Sequence, residues 1–364
     1  MKNRKNMCLA ILLSAVLMLT LMPFMVSADT KPEIQVSGPM QQVERVQPLQ
    51  QTIPQVPLTT AFTAKALAGG VGGSHTSLAL KDDGTVWAWG WNAFGQLGIG
   101  TAVDYRPTPV QVKGPLGKGN LTGITALVAG HYHSLALKDD GTVWAWGWNH
   151  CGEIGDGTSE SCNFKMPLDP PPTIIRPTPV QVKGPLGKGN LTGITAIAGG
   201  GWRSLALKYD GTVWTWGWNG WSTLGDGTND SKPHPTPVQV KNLTGIKAIA
   251  GGYNYVLVLK YDGTVWAWGQ NDGSGELGDG TTTNRNTPVQ VKGKDGVGYL
   301  TGITALAAGS NHSLAIKSDG SVWAWGYNPW GQLGDGTSGS SNNRSTPVEV
   351  KTTLIIHPLS DRTP

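Results

Sequence analysis

The sequence lacks the short motifs that mark common enzyme classes. Its 364 residues contain no Gly-x-Ser-x-Gly nucleophile elbow and no His-Glu-x-x-His zinc motif. No phosphate-binding loop occurs, because Gly117-Lys118-Gly119 lacks both the distant glycine and the hydroxyl residue that the motif requires. We therefore expect a protein that is not an enzyme and that uses no cofactor.

The sequence also has little that could hold a metal ion. Its histidines occupy variable positions, and only His131 and His133 are close enough to touch one ion together. A recurring Gly-Asp-Gly-Thr segment invites a calcium interpretation; it begins at Gly155, Gly225, Gly278 and Gly334. No Asp-x-Asp-x-Asp-Gly run accompanies it, so the pattern favours an aspartate-capped turn without a metal.

Long apolar runs are absent beyond the N-terminus. The run from Cys8 to Met22 follows Lys2, Arg4 and Lys5 and precedes Val26-Ser27-Ala28, which is typical of a cleaved signal peptide over residues 1–28. Its removal takes three of the 28 basic residues and none of the 24 acidic ones, leaving a net charge near +1. We expect a secreted or cell-wall-associated product without a membrane span, and no general attraction to nucleic acid.

Cysteine is scarce. The chain has three, and loss of the signal peptide leaves Cys151 and Cys162, eleven positions apart. A disulfide is the expected state in an exported protein, and it would close a small loop. The alternative is two free thiols, whereas a metal site is disfavoured because only His150 is nearby.

Glycine and tryptophan are abundant, and they follow a repeat. The stretch Asp83-Gly84-Thr85-Val86-Trp87-Ala88-Trp89-Gly90 recurs nearly unchanged from Asp140, Asp210, Asp262 and Asp319. Asp-Gly predicts a two-residue hairpin turn. The Val-Trp-Ala-Trp segment predicts a strand with both tryptophans on one face and small residues on the other. We expect both tryptophans in the core, opposite the small residues of the next sheet.

Each repeat contains four short apolar runs, separated by turn-rich segments. In the second repeat these runs begin at Ile124, Ser134, Val143 and Pro179, and no segment has a helical period. Such repeats predict an all-β fold, a β-propeller of five four-stranded antiparallel blades over residues 61–351. The ring would be either closed with five blades or an incomplete larger one. Residues 29–60 form a Gln/Pro-rich linker whose end aligns with a strand, and 352–364 form an irregular tail.

Positions that vary between the five copies are candidates for partner contacts. In an up-and-down blade, the loop between the first and second strands (A–B) and the loop between the third and fourth (C–D) share one face. Aromatic and histidine side chains at the variable positions of these loops are His75, Trp91, Phe94, Tyr132, Trp148, Trp202, Trp218, Trp221, Tyr253, Tyr327 and Trp330. Their composition suits a protein-binding surface, although they could instead cover the blade edges.

The residues predicted for the opposite face vary little from repeat to repeat. Lysine ends the second run of every repeat, at Lys81, Lys138, Lys208, Lys260 and Lys317. These lysines could form a cationic rim for an acidic partner, but solvated strand ends are the favoured interpretation.

Several phrases resemble one known family. They are Gly130-x-x-His133-Ser134-Leu135, Val143-Trp144-Ala145-Trp146-Gly147 and Asn328-x-x-Gly331-Gln332-Leu333-Gly334, and related phrases recur over residues 64–350. The chain resembles the regulator of chromosome condensation (RCC1) repeat family, and in particular an exported bacterial branch similar to β-lactamase inhibitor protein II. The resemblance implies a β-propeller that binds a protein through loops on one face.

These expectations combine into one functional hypothesis with alternatives. We expect an exported, non-catalytic propeller that binds a protein partner, such as an inhibitor or regulator of a secreted or cell-wall enzyme. The first alternative is a carbohydrate- or cell-wall-binding module, because exposed indole and phenol rings also stack on sugars. A guanine nucleotide exchange factor-like or enzymatic role is disfavoured by the signal peptide and by the missing motifs.

Overall fold

The computed structural model describes residues 62–70, 74–102, 105–160, 162 and 174–352. The chain divides into two units, Met1–Phe62 and Thr63–Pro364, and every described strand lies in the second. The predicted signal peptide, the linker and all but the first residue of the predicted tail lie outside the described residues. Within the described ranges no helix is long and apolar enough to cross a bilayer.

In the described part of the chain, twenty strands form five four-stranded antiparallel sheets, and in each sheet the strands lie side by side in chain order. Blade 1 contains β1 (Ala66–Gly69), β2 (Thr76–Leu80), β3 (Val86–Trp91) and β4 (Tyr105–Gln111). Blade 2 contains β5 (Ile124–Ala129), β6 (His133–Lys138), β7 (Val143–Trp148) and β8 (Ile175–Gln181). Blade 3 contains β9 (Ile194–Gly199), β10 (Arg203–Lys208), β11 (Val213–Trp218) and β12 (Pro233–Gln239).

Blade 4 contains β13 (Ile246–Gly251), β14 (Tyr255–Lys260), β15 (Val265–Gly269) and β16 (Arg285–Gln290). Blade 5 contains β17 (Ile303–Ala308), β18 (His312–Lys317), β19 (Val322–Gly326) and β20 (Arg344–Glu349). Short 3-10 turns occur at Pro115–Gly117, Pro185–Gly187, Gly220–Ser222, Lys294–Gly296 and Ser340–Asn342. The first strands of successive blades contact one another from β1 to β17. The predicted all-β propeller of five blades is confirmed.

The Asp-Gly segments form hairpins, but the loop has three residues and not the predicted two, because the Lys138 amide donates to the Thr142 carbonyl at 2.9 Å across Asp139, Asp140 and Gly141. In blade 2, Asp140 Oδ1 accepts hydrogen bonds from the Thr142 amide at 3.0 Å and from the Thr142 hydroxyl at 2.5 Å. Gly141 has a φ of +74°, which an L side chain disfavours. The same carboxylate cap recurs in the other four blades. This local turn sets the register of the second strand against the third.

One tryptophan joins each blade to the blade before it. Trp146 of blade 2 is fully buried among Leu80, Val86 and Ala88 of blade 1. Trp216, Trp268 and Trp325 occupy the same place at the next three junctions. Each indole also donates a hydrogen bond across the junction, to the carbonyl oxygens of Gln96, Glu153, Thr223 and Glu276, at 2.8–3.0 Å. The predicted meeting of large and small side chains between sheets is confirmed.

The two tryptophans of a strand are not equivalent. Trp144 and its counterparts are only half-buried, and the Trp144 indole donates to the Thr142 hydroxyl at 3.2 Å. The expectation that both tryptophans lie in the core holds for the second one in blades 2 to 5, whereas Trp89 of blade 1 is half-buried. The first tryptophans lie at the edge of the core, where Trp144, Trp266 and Trp323 pack against it. The reason is that the first lies near the hairpin end of the strand, where the sheet meets solvent.

In blades 1 to 4 the following blade covers one face of the sheet. The corresponding face of blade 5, which we call its outward face, is more exposed. Leu259 and Val265 of blade 4 are buried beneath Leu300 and Ile303, which precede and begin the next blade. Their counterparts in blade 5, Ile316 and Val322, are 46% and 36% exposed. Among the described residues, nothing covers this face as the other four are covered.

Replacing the two tryptophans of one strand separates their roles. Trp216→Ala should lower the free energy of unfolding by ~3–5 kcal/mol, because it opens a cavity and leaves the Glu153 carbonyl without its donor. Trp214→Ala, at a half-buried site, should cost only ~1–2 kcal/mol. Denaturant unfolding measures both, and equal losses would contradict the junction model.

A second pair of variants tests whether the outward face of blade 5 is exposed to solvent. Leu259→Ala should cost ~2–5 kcal/mol because its side chain is fully buried. Ile316→Ala, at the equivalent position of blade 5, should cost under about 1 kcal/mol because nearly half of that side chain already contacts water. Comparable losses in chemical denaturation would show that something covers this face in solution.

Candidate protein-binding face

The A–B and C–D loops of each blade lie together, as the sequence predicts. The Trp148 amide, at the start of a C–D loop, donates to the Tyr132 carbonyl of the A–B loop at 2.9 Å. Gly147 permits this approach: it has a φ of +108°, and a Cβ there would lie 2.5 Å from the Tyr132 oxygen. Equivalent bonds join Trp91 to His75, Trp218 to Trp202, Gln270 to Asn254 and Tyr327 to Asn311. These loops form what we call the loop face.

An aromatic cluster fills the loop face over blades 1 to 3. Phe94, Trp148 and Trp202 are buried against one another, with Trp91, Tyr132 and Trp218 packed around them. The rings of Phe94 and Trp148 stack with centroids 4.6 Å apart, and Trp202 meets Trp148 edge-on at 5.3 Å. His131 extends the cluster to Tyr253 of blade 4, at 5.6 Å. Side chains from four blades therefore form one rigid surface layer.

The eleven predicted site residues divide by exposure. Three are buried and form the floor of the cluster, namely Phe94, Trp148 and Trp202. Five are half-buried, namely Trp91, Tyr132, Trp218, Tyr253 and Tyr327. Three are exposed, namely His75, Trp221 and Trp330. The floor residues can support a bound partner, whereas the other eight can contact one.

Trp330 is the most exposed tryptophan of the loop face, at 86%, and Trp221 is 37% exposed. Both occupy the C–D position that holds the buried Phe94 in blade 1. Phe94 is buried because Tyr132 and Trp148 of the following blade pack on it. An aromatic residue at the same loop position is thus buried or exposed according to which side chains the neighbouring blade packs on it.

The Trp330 loop is held rigidly although its indole is free in solvent. Asn328 is fully buried, and its side-chain oxygen accepts from the Leu333 amide at 3.1 Å. Its side-chain nitrogen donates to the carbonyls of Thr337 and Asn342, both at 3.2 Å. The Trp330 amide itself donates to Gln332 Oε1 at 3.0 Å. An exposed indole on such a loop loses little backbone freedom when it binds.

The third position of each A–B loop has a structural role that sequence comparison missed. It varies as Thr76, His133, Arg203, Tyr255 and His312, which resembles a set of partner contacts. Instead, the central three reach across blade junctions. His133 Nε2 lies 3.0 Å from Ser204 Oγ, and burial lowers the pKa of His133 to about 3. Variation between copies therefore does not by itself mean freedom from the fold.

Arg203 and Tyr255 continue this pattern. The buried Arg203 guanidinium donates to the carbonyls of Gly252, Tyr253 and Tyr255 of blade 4. The Tyr255 hydroxyl donates to the carbonyls of Gly309 and His312 of blade 5. Each of the three junctions between blades 2 and 5 thus has its own pair of partners. A hydrogen-bonding side chain at the third position after the loop glycine in every copy is the signal that could have predicted these contacts.

A carboxyl or carboxamide group caps most of the C–D loops. Gln96 Oε1 accepts from the Phe94 amide at 2.9 Å, and Glu153 Oε2 accepts from the Cys151 amide at 2.8 Å. Burial raises the pKa of Glu153 to about 8 and that of Glu276 to about 7. At neutral pH, blade 2 therefore has the protonated carboxyl group of Glu153 at the position where blade 1 has the carboxamide of Gln96.

The ends of the blade 2 insertion are anchored beside the aromatic cluster. Cys151 and Cys162 form a disulfide. Glu160 Oε2 lies 2.6 Å from His150 Nδ1, and Glu160 Oε1 accepts from the Ile174 amide at 2.9 Å. The His150 ring stacks on Trp148 with centroids 5.2 Å apart. These contacts fix the loop that borders Trp148.

The described residues contain no group of three histidine, cysteine or acidic side chains that could hold a metal. In the Gly-Asp-Gly-Thr turns the aspartate oxygens already have partners. Asp156 Oδ1 accepts from the Thr158 amide at 3.0 Å, and Oδ2 pairs with Arg176 Nε at 2.6 Å. Asp279 and Asp335 are paired likewise with Arg285 and Arg344. The aspartate-capped turn is confirmed.

The buried acid of blade 2 makes stability depend on pH. The folded pKa of Glu153, about 8, exceeds its ordinary value of 4.5. The folded protein therefore keeps a proton that the unfolded chain releases, so stability falls as pH rises between these values, by at most about 1.4 kcal/mol per unit. Glu153→Gln should raise the melting temperature at pH 8, change it little at pH 4.5 and flatten the profile. Parallel profiles for the two proteins would contradict this assignment.

Comparisons with known proteins agree with this architecture. A family model of the RCC1-like domain matches residues 33–361. The ultraviolet-B receptor UVR8 of Arabidopsis thaliana is 30% identical over 294 residues, covering 78% of this chain and 60% of that protein. The mitochondrial RCC1 domain-containing protein RUG3 of the same plant is 28% identical, covering 81% and 60%.

Two more comparisons are informative. The human E3 ubiquitin-protein ligase HERC2 is 32% identical over 259 residues, which cover 71% of this chain but 5% of that protein. The crystal structure of human WBSCR16 superposes with a TM-score of 0.60 at 23% identity, covering 76% of this chain and 65% of that one, so it supports the fold alone. The chain spans about 60% of the length of the two plant relatives. With the family model matched over most of its residues, this chain belongs to the RCC1-like domain family.

Proposed function

We propose that this chain is an exported, non-catalytic propeller that binds a protein partner through its loop face, as an inhibitor or regulator of a secreted or cell-wall enzyme. The observation that carries the proposal is Trp330, an indole 86% exposed on a loop held by buried Asn328. A large exposed indole on a rigid loop has the properties of a binding hot spot.

The surroundings of Trp330 support a protein partner. Half-buried Tyr327 and Tyr253 lie on the same face and offer ring edges and hydroxyl groups. The aromatic cluster of blades 1 to 3 provides a rigid neighbouring surface, which resists reorganisation on binding. Aromatic side chains with few charged groups are typical of the centre of a protein interface. The resemblance to an exported inhibitor branch makes a secreted enzyme the first candidate partner.

The relatives are compatible with this proposal without identifying the partner. Their names describe a photoreceptor and a ubiquitin ligase, which are unrelated activities on one repeat scaffold. A scaffold that serves such different proteins is best understood as a recognition module, with specificity supplied by loop side chains. We extend that role to this chain outside the cell, on the basis of its N-terminal signal-like sequence.

A carbohydrate- or cell-wall-binding role is the second candidate. The exposed faces of Trp330 and Trp221 favour it, because indoles also stack on sugar rings. The Trp218 and Trp221 rings meet edge-on at 4.8 Å, however, which does not give the flat platform that a sugar ring requires. We therefore rank it second.

Binding measurements with matched variants test the proposal. Trp330→Ala and Trp221→Ala should each weaken capture of a purified secreted enzyme, with serine β-lactamases tested first, by about tenfold or more. Tyr261→Ala is the matched control, because Tyr261 is an aromatic residue that is 75% exposed but lies on a hairpin of the opposite face. Its affinity should equal that of the unmodified protein.

Peptidoglycan sedimentation in parallel separates the two candidates. Retention on peptidoglycan that depends on Trp330, without capture of any tested enzyme, would support the carbohydrate role. Full enzyme binding by the double variant Trp221→Ala/Trp330→Ala would show that the loop face is not the binding surface.

A further inference from the structure

Two identical loops on the side opposite the loop face carry exposed leucines. They join β4 to β5 and β8 to β9, and both have the sequence Lys-Gly-Pro-Leu-Gly-Lys-Gly-Asn. We call Lys113–Asn120 and Lys183–Asn190 the basic loops. Each is closed at its base by a bridge between its first and last residues. At their tips Leu116 and Leu186 are 81% and 82% exposed.

Folding does not explain these leucines. Leu116 and Leu186 have φ angles of +55° and +56°, in the left-handed region that favours glycine and asparagine. The loop that joins β16 to β17 has the same backbone, with Asp295 at a φ of +55° in the equivalent place. The conformation therefore does not need leucine, and the core does not bury it. Leucine in both basic loops is disfavoured by the backbone and by solvent alike.

The sequence segments that contain the leucines carry positive charge only, although Asp139 of the neighbouring hairpin lies beside Gly123, close to the base of the first basic loop. No acidic residue occurs in the segment from Tyr105 to Lys138, or in the segment from Ile175 to Tyr209. The turns that carry Leu116 and Leu186 pack against β8 and β12, which contribute Arg176 and His234 and no carboxylate. Lysines that end the second strands differ, because Lys138, Lys208 and Lys317 pair with hairpin aspartates at 3.2–3.8 Å. Within the part of the chain that the structure describes, Lys113, Lys118, Lys183 and Lys188 make no ion pair, so they can contact an anionic partner.

The placement of the loops suits a flat partner. Both connect the fourth strand of one blade to the first strand of the next, so both project from the same side of the propeller. The equivalent loop before blade 5 exposes Val297 and Tyr299 on that side as well. A hydrophilic anionic polymer would use the lysines and leave the leucines in water. A bilayer accepts apolar tips at several separate places at once, without detailed shape complementarity.

We propose that the basic loops bind an anionic lipid bilayer. Leu116 and Leu186 insert among the acyl chains near the headgroups, while Lys113, Lys118, Lys183 and Lys188 contact the phosphate groups. This surface lies opposite the loop face, so a protein partner and a membrane can be held at the same time. The near-neutral mature chain does not oppose this, because the positive charge is concentrated in the loops.

Vesicle flotation with the full mature chain tests the proposal. Vesicles containing phosphatidylglycerol should retain the protein, those of phosphatidylcholine alone should retain much less, and added salt should weaken binding. The double variant Leu116→Gly/Leu186→Gly should bind the anionic vesicles about tenfold or more weakly, because the apolar tips are lost. Its thermal stability should not fall, since glycine suits the positive φ.

Two further variants make the outcome specific. Leu116→Asn/Leu186→Asn also suits the backbone and should lose binding to the same extent. Lys118→Gln/Lys188→Gln should reduce both the affinity and its salt dependence. Failure of the unmodified protein to float with anionic vesicles would overturn the proposal, and so would undiminished binding by the glycine variant.

The result can be separated from that of the loop face. Trp330→Ala should leave vesicle binding unchanged, and Leu116→Gly/Leu186→Gly should leave capture of the enzyme partner unchanged. Loss of vesicle binding in Trp330→Ala would overturn the assignment of the membrane contact to the basic loops.

Discussion

The structure depends on one interaction that is made four times. A tryptophan from the third strand of each blade is buried on the leucine, valine and alanine side chains of the blade before it, and its indole donates to a C–D loop carbonyl there. The apolar contact supplies most of the attraction, and the hydrogen bond fixes the position. A four-stranded sheet alone would leave this apolar face in water. Stacking of blades removes it from water, so each blade is stable only with a neighbour.

The same interaction rigidifies the candidate binding face. The carbonyls that accept the indoles belong to residues of the C–D loops, such as Gln96 and Glu153, whose side chains cap those loops from within. Packing of blade 4 on blade 3 thus holds the loop that presents Trp221, because the Trp268 indole donates to the Thr223 carbonyl. The Trp330 loop of blade 5 is held instead by the hydrogen bonds of Asn328. Variable side chains can change at the surface without loosening the loop, because the fixed contacts are made below them. Because different residues hold the loop and contact the partner, the same repeat can be adapted to many partners.

The propeller has two chemically different sides. The loop face carries a cluster of aromatic rings, which suits contact with a protein. The opposite side carries lysine-rich turns, two of them tipped by leucine, as well as hairpins whose lysines and aspartates pair with one another. These differences follow from which loops the repeat leaves free. Hairpin turns must keep their Asp-Gly to form, whereas the longer connections between blades are less restricted.

The sequence by itself determined the repeat, the four strands of each blade, the hairpin turns and the grouping of the A–B and C–D loops. Local rules suffice for these, because alternation along a strand and Asp-Gly at a turn act within a few residues. Burial at the loop face was decided by tertiary structure. Phe94 and Trp330 occupy equivalent positions, but only Phe94 is covered by aromatic rings of a following blade. His133, Arg203 and Tyr255 vary like contact residues, yet each spans a junction, because the partner of a side chain at a blade edge is chosen by the neighbouring blade and not by its own repeat.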